Sequence, residues 1–213
     1  MGVEMVNGKE ITDIEALKKD YDYVVLAVGA SEQGVLKLEA GDTMNALDFL
    51  ARFKATEGKV ELGKNVVVIG GGNTAMDTAR AAKRNAGVEK VSLVYRRTRR
   101  YMPADEEELV MAVEDGVEFA ELLAPVKLEN GVLYCKKMVL GDMDASGRRG
   151  VVETDETVEV PADTVIAAVG EKVPGAFYES FGIALDSRRR PQVNQETLET
   201  SVKGVYVAGD GLY

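Results

Sequence analysis

The stretch that most constrains the fold is a run of four apolar residues at 66–69, followed at once by three glycines at 70–72. Continuous apolar runs are typical of strands buried on both faces, as in a parallel sheet. A helix-like run at 73–84 and a second apolar run at 91–95 come next, the order of a right-handed strand–helix–strand crossover. The passage therefore predicts an α/β fold built on a Rossmann-like parallel sheet.

The flanking sequence extends this pattern and adds a second kind of sheet. Apolar spacing predicts further helices at residues 14–19, 46–53 and 104–115, and further strands at residues 117–119 and 204–208. Between residues 125 and 160 alternating stretches are divided by Asn130-Gly131, which is a hairpin signal. We therefore predict a small antiparallel β-meander packed on the parallel sheet.

Two distant segments, residues 22–30 and 163–171, resemble each other. Each consists of an aspartate, an apolar strand and a turn that contains Val-Gly. The glycine of this turn is Gly29 in the first segment and Gly170 in the second. Chance similarity between two buried strands is one explanation. Their position on both sides of the glycine-rich passage favours the other explanation, a duplicated architecture.

Composition limits the chemistry available to this chain. Its 213 residues include no histidine and one cysteine, Cys135, which excludes an internal disulfide and a cysteine-held iron–sulfur cluster within the chain. Without histidine the chain lacks the usual metal ligand and the usual base at neutral pH, so we predict no catalytic residue and no metal ligand. Any redox chemistry is expected to belong to a bound cofactor.

Charge and hydropathy restrict the partners and the location. The net charge of −10 disfavours general binding to nucleic acid, which needs a surplus of Lys and Arg. No apolar run approaches the roughly 18 residues of a membrane span, and the N-terminus lacks the layout of a signal peptide. We expect a cytoplasmic protein with neither nucleic acid nor membrane as a partner.

The glycine run fits the dinucleotide fingerprint as Gly70-x-Gly72-x-x-Ala75. In that fingerprint the first glycine makes the turn, the second lets phosphate oxygens reach the backbone, and the small third residue lets helix and sheet approach. The helix that follows would point its N-terminal N–H groups at a pyrophosphate. A tight strand–helix turn without a ligand is the alternative, and the flanking strands favour the dinucleotide site.

The end of the second strand indicates which dinucleotide is bound. A NAD site usually places an acid there for the ribose hydroxyls, but this chain has four arginines: Arg96, Arg97, Arg99 and Arg100. Guanidinium groups form bidentate bonds to phosphate, whereas a carboxylate would repel it. The alternative is a solvated basic loop, but a basic cluster in an otherwise acidic chain favours NADPH.

Four motifs, in this order along the chain, resemble the glutamate synthase small-subunit-like NADPH/FAD oxidoreductases. They are ALDFL at 46–50, GGGNTAMDTAR at 70–80, VYRR at 94–97 with MPA at 102–104, and VAGDG at 207–211. The electron-input region of dihydropyrimidine dehydrogenase and putative selenate reductase subunits belong to the same group. The resemblance implies a flavoprotein with two dinucleotide-binding domains, in which the NADPH domain is inserted into the FAD domain. It also implies that hydride passes to the flavin and electrons pass on to iron–sulfur clusters and a partner domain or subunit.

The resemblance also assigns site residues. On the NADPH side these are Gly70, Gly72, Asn73, Thr74 and Ala75 for the pyrophosphate, Arg96, Arg97 and Arg100 for the 2′-phosphate, and Gly170 for the nicotinamide end. On the FAD side they are Gly29, Gly209 and Asp210, where the aspartate typically contacts the ribityl or pyrophosphate portion. Without the resemblance, Asp210 between two glycines is simply a good turn residue.

The chain departs from the family pattern on the FAD side. No glycine fingerprint precedes residue 66, the sequence stops soon after Asp210, and the cysteine-rich cluster domain is missing. We therefore expect a fragment with an incomplete FAD site and with iron–sulfur clusters only outside this chain. The expected organisation is a partial FAD-domain segment at 1–45, the NADPH domain at 46–190 and a second partial FAD-domain segment at 191–213.

Two functions follow from these observations. The leading hypothesis is that the chain is the NADPH-binding portion of a flavin-dependent oxidoreductase. Under this hypothesis we expect the isolated fragment to be inactive. The alternative is a non-catalytic nucleotide-binding module, a sensor or a scaffold. A self-contained NADPH dehydrogenase acting on a carbonyl is disfavoured, because the sequence has no Tyr-x-x-x-Lys pair and no histidine to protonate an alkoxide.

Overall fold

A computed structural model of the chain describes residues 2–30, 32–143 and 149–212. The helices are α1 Ile14–Asp20, α2 Ala46–Ala55, α3 Asn73–Arg84, α4 Glu106–Glu114 and α5 Gly175–Ser180. The first six strands are β1 Val24–Leu26, β2 Glu32–Gln33, β3 Met44–Asn45, β4 Asn65–Ile69, β5 Lys90–Tyr95 and β6 Glu118–Glu121. The others are β7 Leu123–Glu129, β8 Val132–Met143, β9 Arg149–Pro161, β10 Thr164–Ala167, β11 Glu171–Lys172 and β12 Val205–Val207. Strand β2 pairs with β11 as a short two-stranded sheet.

The chain divides into two compact units. One consists of Gln33–Gly170, and the other combines Met1–Glu32 with Glu171–Tyr213. The first of these units is inserted, in sequence, between the two parts of the other; the predicted domain limits at residues 45/46 and 190/191 stay a prediction. The N-terminal limit of the inserted unit includes the segment that leads into β3, which belongs to the same sheet as β4. The assignment of the segments to particular cofactors stays a prediction.

The inserted unit, Gln33–Gly170, is built on a five-stranded parallel sheet with the order β3-β10-β4-β5-β6. The chain moves outward in one direction from β4 to β6, while β10 and β3 lie on the other side of β4. Such a reversal of strand order is the topological switch point of an open α/β sheet, and ligands bind outside its carboxyl edge. The predicted Rossmann-like parallel sheet is confirmed.

Alternate residues of β4 face two different layers. Val66 and Val68 pack in the core that α2, α3 and α4 cover, whereas Val67 and Ile69 pack in the core beneath the antiparallel sheet. Because successive strand residues point to opposite faces, a strand covered on both sides must be apolar at every position. This explains the continuous apolar run that the sequence shows at 66–69.

The predicted meander is confirmed as the three-stranded antiparallel sheet β7-β8-β9. Its first hairpin turns at Asn130 and Gly131, whose φ values of 52° and 75° are those that a tight two-residue turn needs. Residues 144–148, between β8 and β9, lie outside the described residues. Cys135 is fully buried in the central strand, and burial raises the pKa of its thiol to about 12, so the thiolate is not formed near neutral pH.

The other unit, Met1–Glu32 with Glu171–Tyr213, is smaller and centres on two parallel strands, β1 and β12. Helix α1 begins at an N-cap, Asp13, whose carboxylate accepts a hydrogen bond from the Ala16 N–H at 3.1 Å. Tyr178 of α5 is fully buried in the core of this unit. These elements confirm the predicted helix at 14–19 and the predicted strand at 204–208.

Asp163, the first residue of the second repeat, joins the starts of two central strands. Its Oδ2 accepts hydrogen bonds from the backbone N–H groups of Lys64 and Asn65, both at 2.8 Å. These bonds, the one from Asn65 foremost, lower the pKa of the Asp163 carboxyl. The aspartate that opens this repeat therefore fixes how β4 begins beside β10.

We expect the Asp163→Asn variant to unfold at a lower temperature than the wild type at pH 7. A carboxyl whose pKa is depressed by folding stabilises the fold above its unfolded pKa of about 4, and that contribution is lost as the pH falls through the folded pKa. The unfolding temperature of each protein is measured by circular dichroism at several pH values. The difference in unfolding temperature between the wild type and Asp163→Asn should shrink below about pH 4. Asp42→Asn, an exposed acid outside this network, is the matched control. A gap that stays constant with pH would contradict this explanation.

Candidate nucleotide-binding site

The glycine turn, residues 70–72, lies at the carboxyl edge of the parallel sheet at its topological switch point. The Gly70 N–H donates to the Val94 carbonyl of β5 at 3.1 Å. A Cβ at Gly70 would overlap the Ala168 carbonyl oxygen beyond β10 and lie 3.0 Å from the Ala75 Cβ. Only a residue without a side chain fits between these neighbours, which is how the turn brings three segments together.

Gly72, unlike Gly70, has open space around the position of a Cβ. It is the N-cap of α3, and its carbonyl accepts from the N–H groups of Ala75 at 2.9 Å and Met76 at 3.3 Å. The nearest atom to a Cβ at this position is Pro103 Cγ at 4.0 Å, and no side chain caps the helix. Ala75 is fully buried against the sheet. The backbone face at Gly72 is therefore accessible to a ligand at the positive end of the helix dipole.

Asn73 connects the glycine turn to the start of α4. The Asn73 Nδ2 donates to Asp105 Oδ2 at 3.2 Å, and the Asp105 N–H donates to Asn73 Oδ1 at 3.0 Å. The Ala104 N–H donates to the Gly71 carbonyl at 3.0 Å. Because these bonds hold residues 104 and 105 in the approach to the helix, α4 begins at Glu106 rather than at the predicted residue 104. The half-buried Thr74 uses its carbonyl to accept the Thr78 hydroxyl at 2.6 Å.

The middle glycine has a role that the sequence did not reveal. A Cβ at Gly71 would overlap the ring of Tyr95, the last residue of β5. The Tyr95 hydroxyl donates to the Tyr101 carbonyl at 2.8 Å. The signal for this contact is present in the sequence as a third glycine where the fingerprint needs only two, together with a tyrosine at the end of the next strand.

The four arginines differ in their surroundings. Arg99 donates from its guanidinium to Glu106 at 2.7 Å and from its backbone N–H to Glu121 at 2.8 Å, so it serves the local structure. Arg96 and Arg100 are exposed, and Arg97 is half-buried. Within the described ranges 2–30, 32–143 and 149–212, these three have no carboxylate within 4.0 Å.

Arg97 has a buried donor without a partner. Its Nε is shielded from solvent and forms no hydrogen bond to any described residue. Buried polar atoms are normally paired, and leaving one unpaired costs about 1–3 kcal/mol. Since β5 ends at Tyr95 beside the glycine turn, this unpaired donor belongs to the same edge of the sheet as Gly70. An anion with acceptor oxygens would supply its missing partner.

Two other arginines of the unit are held away from this edge. Arg80 and Arg84, further along α3, both bind Asp115 at the end of α4, at 2.8 and 2.7 Å. The bond from Arg80, foremost, lowers the pKa of the Asp115 carboxyl. These contacts join the two helices. Arg80 and Arg84 are therefore paired, whereas Arg96, Arg97 and Arg100 have no ion-pair partner among the described residues.

Gly170 follows β10 at the same carboxyl edge. The Ala168 N–H donates to the Ile69 carbonyl at 2.8 Å, which keeps this segment beside β4. Gly170 has φ +99° and is exposed, and its carbonyl accepts from the Gly34 N–H at 2.8 Å. Nothing lies within 4 Å of a Cβ placed there, so the positive φ, not space, is what favours glycine.

The smaller unit brings its own predicted residues to one edge. The Ala208 N–H donates to the Leu26 carbonyl at 3.0 Å, so the carboxyl ends of β1 and β12 are adjacent. Gly29 and Gly209 follow these ends with φ values of +69° and +70°. Asp210 is exposed in the short 3₁₀ turn Gly209–Leu212. The three residues expected on the FAD side thus lie beyond the same edge of this unit.

Neither a metal site nor a membrane-spanning helix is found among the described residues. In the part of the chain that the structure describes, no three His, Cys, Asp or Glu side chains are arranged to hold a metal ion. Within the same residues, no helix has both the length and the apolar character needed to cross a bilayer.

Comparison with protein-family models matches residues 2–212 to the pyridine nucleotide-disulphide oxidoreductases. The chain belongs to this family. Putative oxidoreductase YgfK of Escherichia coli strain K12 is 43% identical over 203 residues, which cover 92% of this chain and 19% of that protein. The NADPH glutamate synthase small chain of the same strain is 36% identical over 99% of this chain and 50% of its own length. The chain thus spans between about a fifth and a half of these two relatives.

Solved structures of two reductases share the fold of this chain. FprA from Mycobacterium tuberculosis, in complex with NADPH, has a TM-score of 0.70 at 20% identity, covering 95% of this chain and 61% of that one. Thioredoxin reductase from T. acidophilum has a TM-score of 0.58 at 20% identity, covering 90% and 58%. These similarities confirm the predicted two-dinucleotide-binding flavoprotein architecture, and the glutamate synthase small chain confirms the resemblance found in the motifs.

Proposed function

We propose that this chain is the NADPH-binding part of a flavin-dependent oxidoreductase. The observation that carries the proposal is the pairing, at one edge of a parallel sheet, of the glycine turn with arginines that have no described counter-ion. Family membership supports the reaction class, and the relatives whose names specify NADPH support the choice of cofactor.

The residues at this edge fit NADPH. At Gly70 and Gly71 a Cβ would overlap neighbouring atoms, while the backbone at Gly72 is open toward the N-terminus of α3. We assign the pyrophosphate to Gly70, Gly72 and Ala75 with the N–H groups that begin α3, at Asn73 and Thr74.

The 2′-phosphate is assigned to the arginines at the end of β5. The unpaired Nε of Arg97 is the strongest observation, since it needs an acceptor, and a phosphate supplies three oxygens. Arg96 and Arg100 add exposed positive charge beside it. We assign the nicotinamide end to Gly170, which lies across the switch point beyond β10.

The FAD-side assignment concerns Gly29, Gly209 and Asp210. It is supported by their place beyond the carboxyl edge of β1 and β12, where parallel sheets bind ligands. The corresponding organisation, with FAD-domain segments at 1–45 and 191–213 and the NADPH domain between them, is part of the proposal.

The chain's own residues bind and orient in this proposal. NADPH supplies the hydride and FAD accepts it, so the organic chemistry belongs to the cofactors. No side chain is needed as an acid or a base, which agrees with the absence of histidine. The buried Cys135 is assigned no disulfide chemistry despite the family name.

The onward path of the electrons is the second part of the proposal. Three relatives carry names of larger assemblies: the beta subunit of an NADP(+)-dependent formate dehydrogenase from Moorella thermoacetica, the beta subunit of an NADPH-Fe(3+) oxidoreductase from Geobacter sulfurreducens, and the glutamate synthase small chain. By analogy, we propose that electrons pass to iron–sulfur clusters outside this chain, in a partner domain or subunit. A cytoplasmic location belongs to the same proposal.

Flavin reduction tests the function. The full-length protein that carries this chain is loaded with FAD and mixed anaerobically with NADPH or NADH, and the flavin absorbance near 450 nm is followed in a stopped-flow instrument. We expect NADPH to bleach the flavin faster than NADH at equal concentration. A protein that binds NADPH without reducing its flavin would instead support the non-catalytic module.

A further inference from the structure

The arginines lie on a turn between β5 and α4. The arginine turn, residues 96–101, ends in the 3₁₀ turn Arg99–Tyr101 and lies outside the parallel sheet. Long side chains on such a turn bind a phosphate well only if the backbone beneath them is held in place, because ordering it on binding lowers the affinity. The contacts that fix this backbone therefore influence the choice between NADPH and NADH.

Tyr95 connects the backbone of the arginine turn to the glycine turn. This residue is only 9% exposed, and its ring lies against Gly71, where any Cβ would overlap it. Its hydroxyl donates to the Tyr101 carbonyl at 2.8 Å, across the whole arginine turn. One side chain thus contacts the glycine turn with its ring and closes the arginine turn with its hydroxyl.

The other contacts between the two turns lie further along the chain. The Ala104 N–H binds the Gly71 carbonyl, and Asn73 binds Asp105 through both amide atoms. These bonds hold the segment after the arginine turn. On its other side the turn is held to β6 and the residue that follows it, because the Arg99 N–H donates to Glu121 at 2.8 Å and the Leu122 N–H donates to the Arg97 carbonyl at 3.2 Å. The Tyr95 hydroxyl is the side-chain bond that ties the end of the turn back to its start. Removal of the Tyr95 hydroxyl should therefore loosen residues 96–101 without displacing the glycine turn.

The geometry points to Tyr95 as a positioning residue that sets NADPH specificity by holding the arginine turn against the glycine turn. This inference rests on the proposed function, since it presupposes that the arginines bind the 2′-phosphate. It adds a residue that need not touch the nucleotide. Its effect should appear in the affinity for NADPH and not in the affinity for NADH, because NADH has no 2′-phosphate to be held.

The test is the Tyr95→Phe variant, which keeps the ring and removes the hydroxyl. Dissociation constants for NADPH and NADH are measured by calorimetry on the purified protein. We expect NADPH affinity to fall about threefold to tenfold, the effect of losing one hydrogen bond, with NADH affinity unchanged within about twofold. Tyr134→Phe, in the antiparallel sheet, is the matched control, and both affinities should stay at their wild-type values.

Amide hydrogen exchange gives a second readout that does not need the nucleotide. In the unliganded Tyr95→Phe protein, residues 96–101 should exchange faster than in the wild type, and Tyr134→Phe should show no such change. Unchanged exchange, an unchanged NADPH-to-NADH ratio, or equal losses for both nucleotides would each overturn the inference. A wild-type protein that shows no preference for NADPH would overturn the proposed function instead, so the two failures are distinguishable.

Discussion

Replacement of Gly70 by alanine is expected to abolish measurable NADPH binding and to lower the free energy of unfolding by about 1–3 kcal/mol, the usual cost of overpacking a tight site. The added methyl would overlap the Ala168 carbonyl oxygen and approach the Ala75 Cβ, so β10 or α3 must move. Either movement displaces the backbone to which the pyrophosphate is assigned. Urea unfolding and calorimetric titration with NADPH measure the two effects.

Gly72→Ala is the matched control for the stability effect, because it adds the same methyl group two residues further along the same turn, where there is space for it. Gly72 has φ −98° and no atom nearer than 4.0 Å to the added methyl, so alanine fits without strain. The loss of a glycine N-cap should lower the free energy of unfolding by less than about 1 kcal/mol. NADPH affinity should still fall, because the methyl blocks the open backbone face. A Gly72→Ala protein that binds NADPH like the wild type would contradict the assignment of that face to the pyrophosphate.

The double variant Arg96→Ala with Arg97→Ala is expected to weaken NADPH binding by about tenfold to a hundredfold and to change NADH binding by less than about threefold. A hydrogen bond to a charged group contributes about 1.5–3 kcal/mol, which corresponds to roughly tenfold to hundredfold and is expected from the half-buried Arg97; the exposed Arg96 adds little to it. Calorimetric titrations with both nucleotides at one fixed salt concentration provide the measurement. Equal losses for the two nucleotides would show that these arginines do not contact the 2′-phosphate.

Arg52→Ala with Lys54→Ala is the control for net charge. Both residues are exposed at the end of α2. The double substitution removes two positive charges, as many as Arg96→Ala with Arg97→Ala removes, from the same unit. Long-range attraction between the protein and the more highly charged NADPH would be reduced similarly by either pair of substitutions. The expected difference between the two double variants thus isolates the local contact from the general charge effect.

Much of the fold could be predicted from local sequence patterns. The patterns are clearest for those elements whose burial or turn geometry allows only a few residue types. The apolar run at 66–69 has to be covered on both faces, and Asn130-Gly131 has to turn, so β4 and the hairpin between β7 and β8 follow directly. Helix α3 lies at the predicted residues 73–84 because glycines precede it and small apolar residues face the sheet.

The errors in the element limits have a tertiary cause. Helix α4 begins at Glu106, two residues after the predicted start, because the N–H groups of Ala104 and Asp105 bind Gly71 and Asn73. These partners are more than 30 positions away in the sequence. Propensity and helix polarity describe the first turn of a helix, but they carry no information about a distant turn that binds its preceding backbone.

The candidate site also combines residues that the sequence predicts with contacts that depend on the tertiary structure. The fingerprint glycines and the arginine cluster could be selected from spacing and charge alone. The separation of Arg99 from its three neighbours could not, since it depends on Glu106 and Glu121 reaching that arginine. The contact between Tyr95 and Gly71 joins residues 24 positions apart, and it becomes visible only when β4 and β5 are paired.

The decisive measurement is the ratio of the dissociation constants for NADH and NADPH, obtained by calorimetry on the unaltered protein. It shows whether the glycine turn and the arginines without a described counter-ion form one site for a 2′-phosphorylated dinucleotide. If they do, NADPH binds at least about tenfold more tightly than NADH, since one or more charge-assisted bonds to the 2′-phosphate are made only by NADPH. Equal affinities, or tighter binding of NADH, would contradict it.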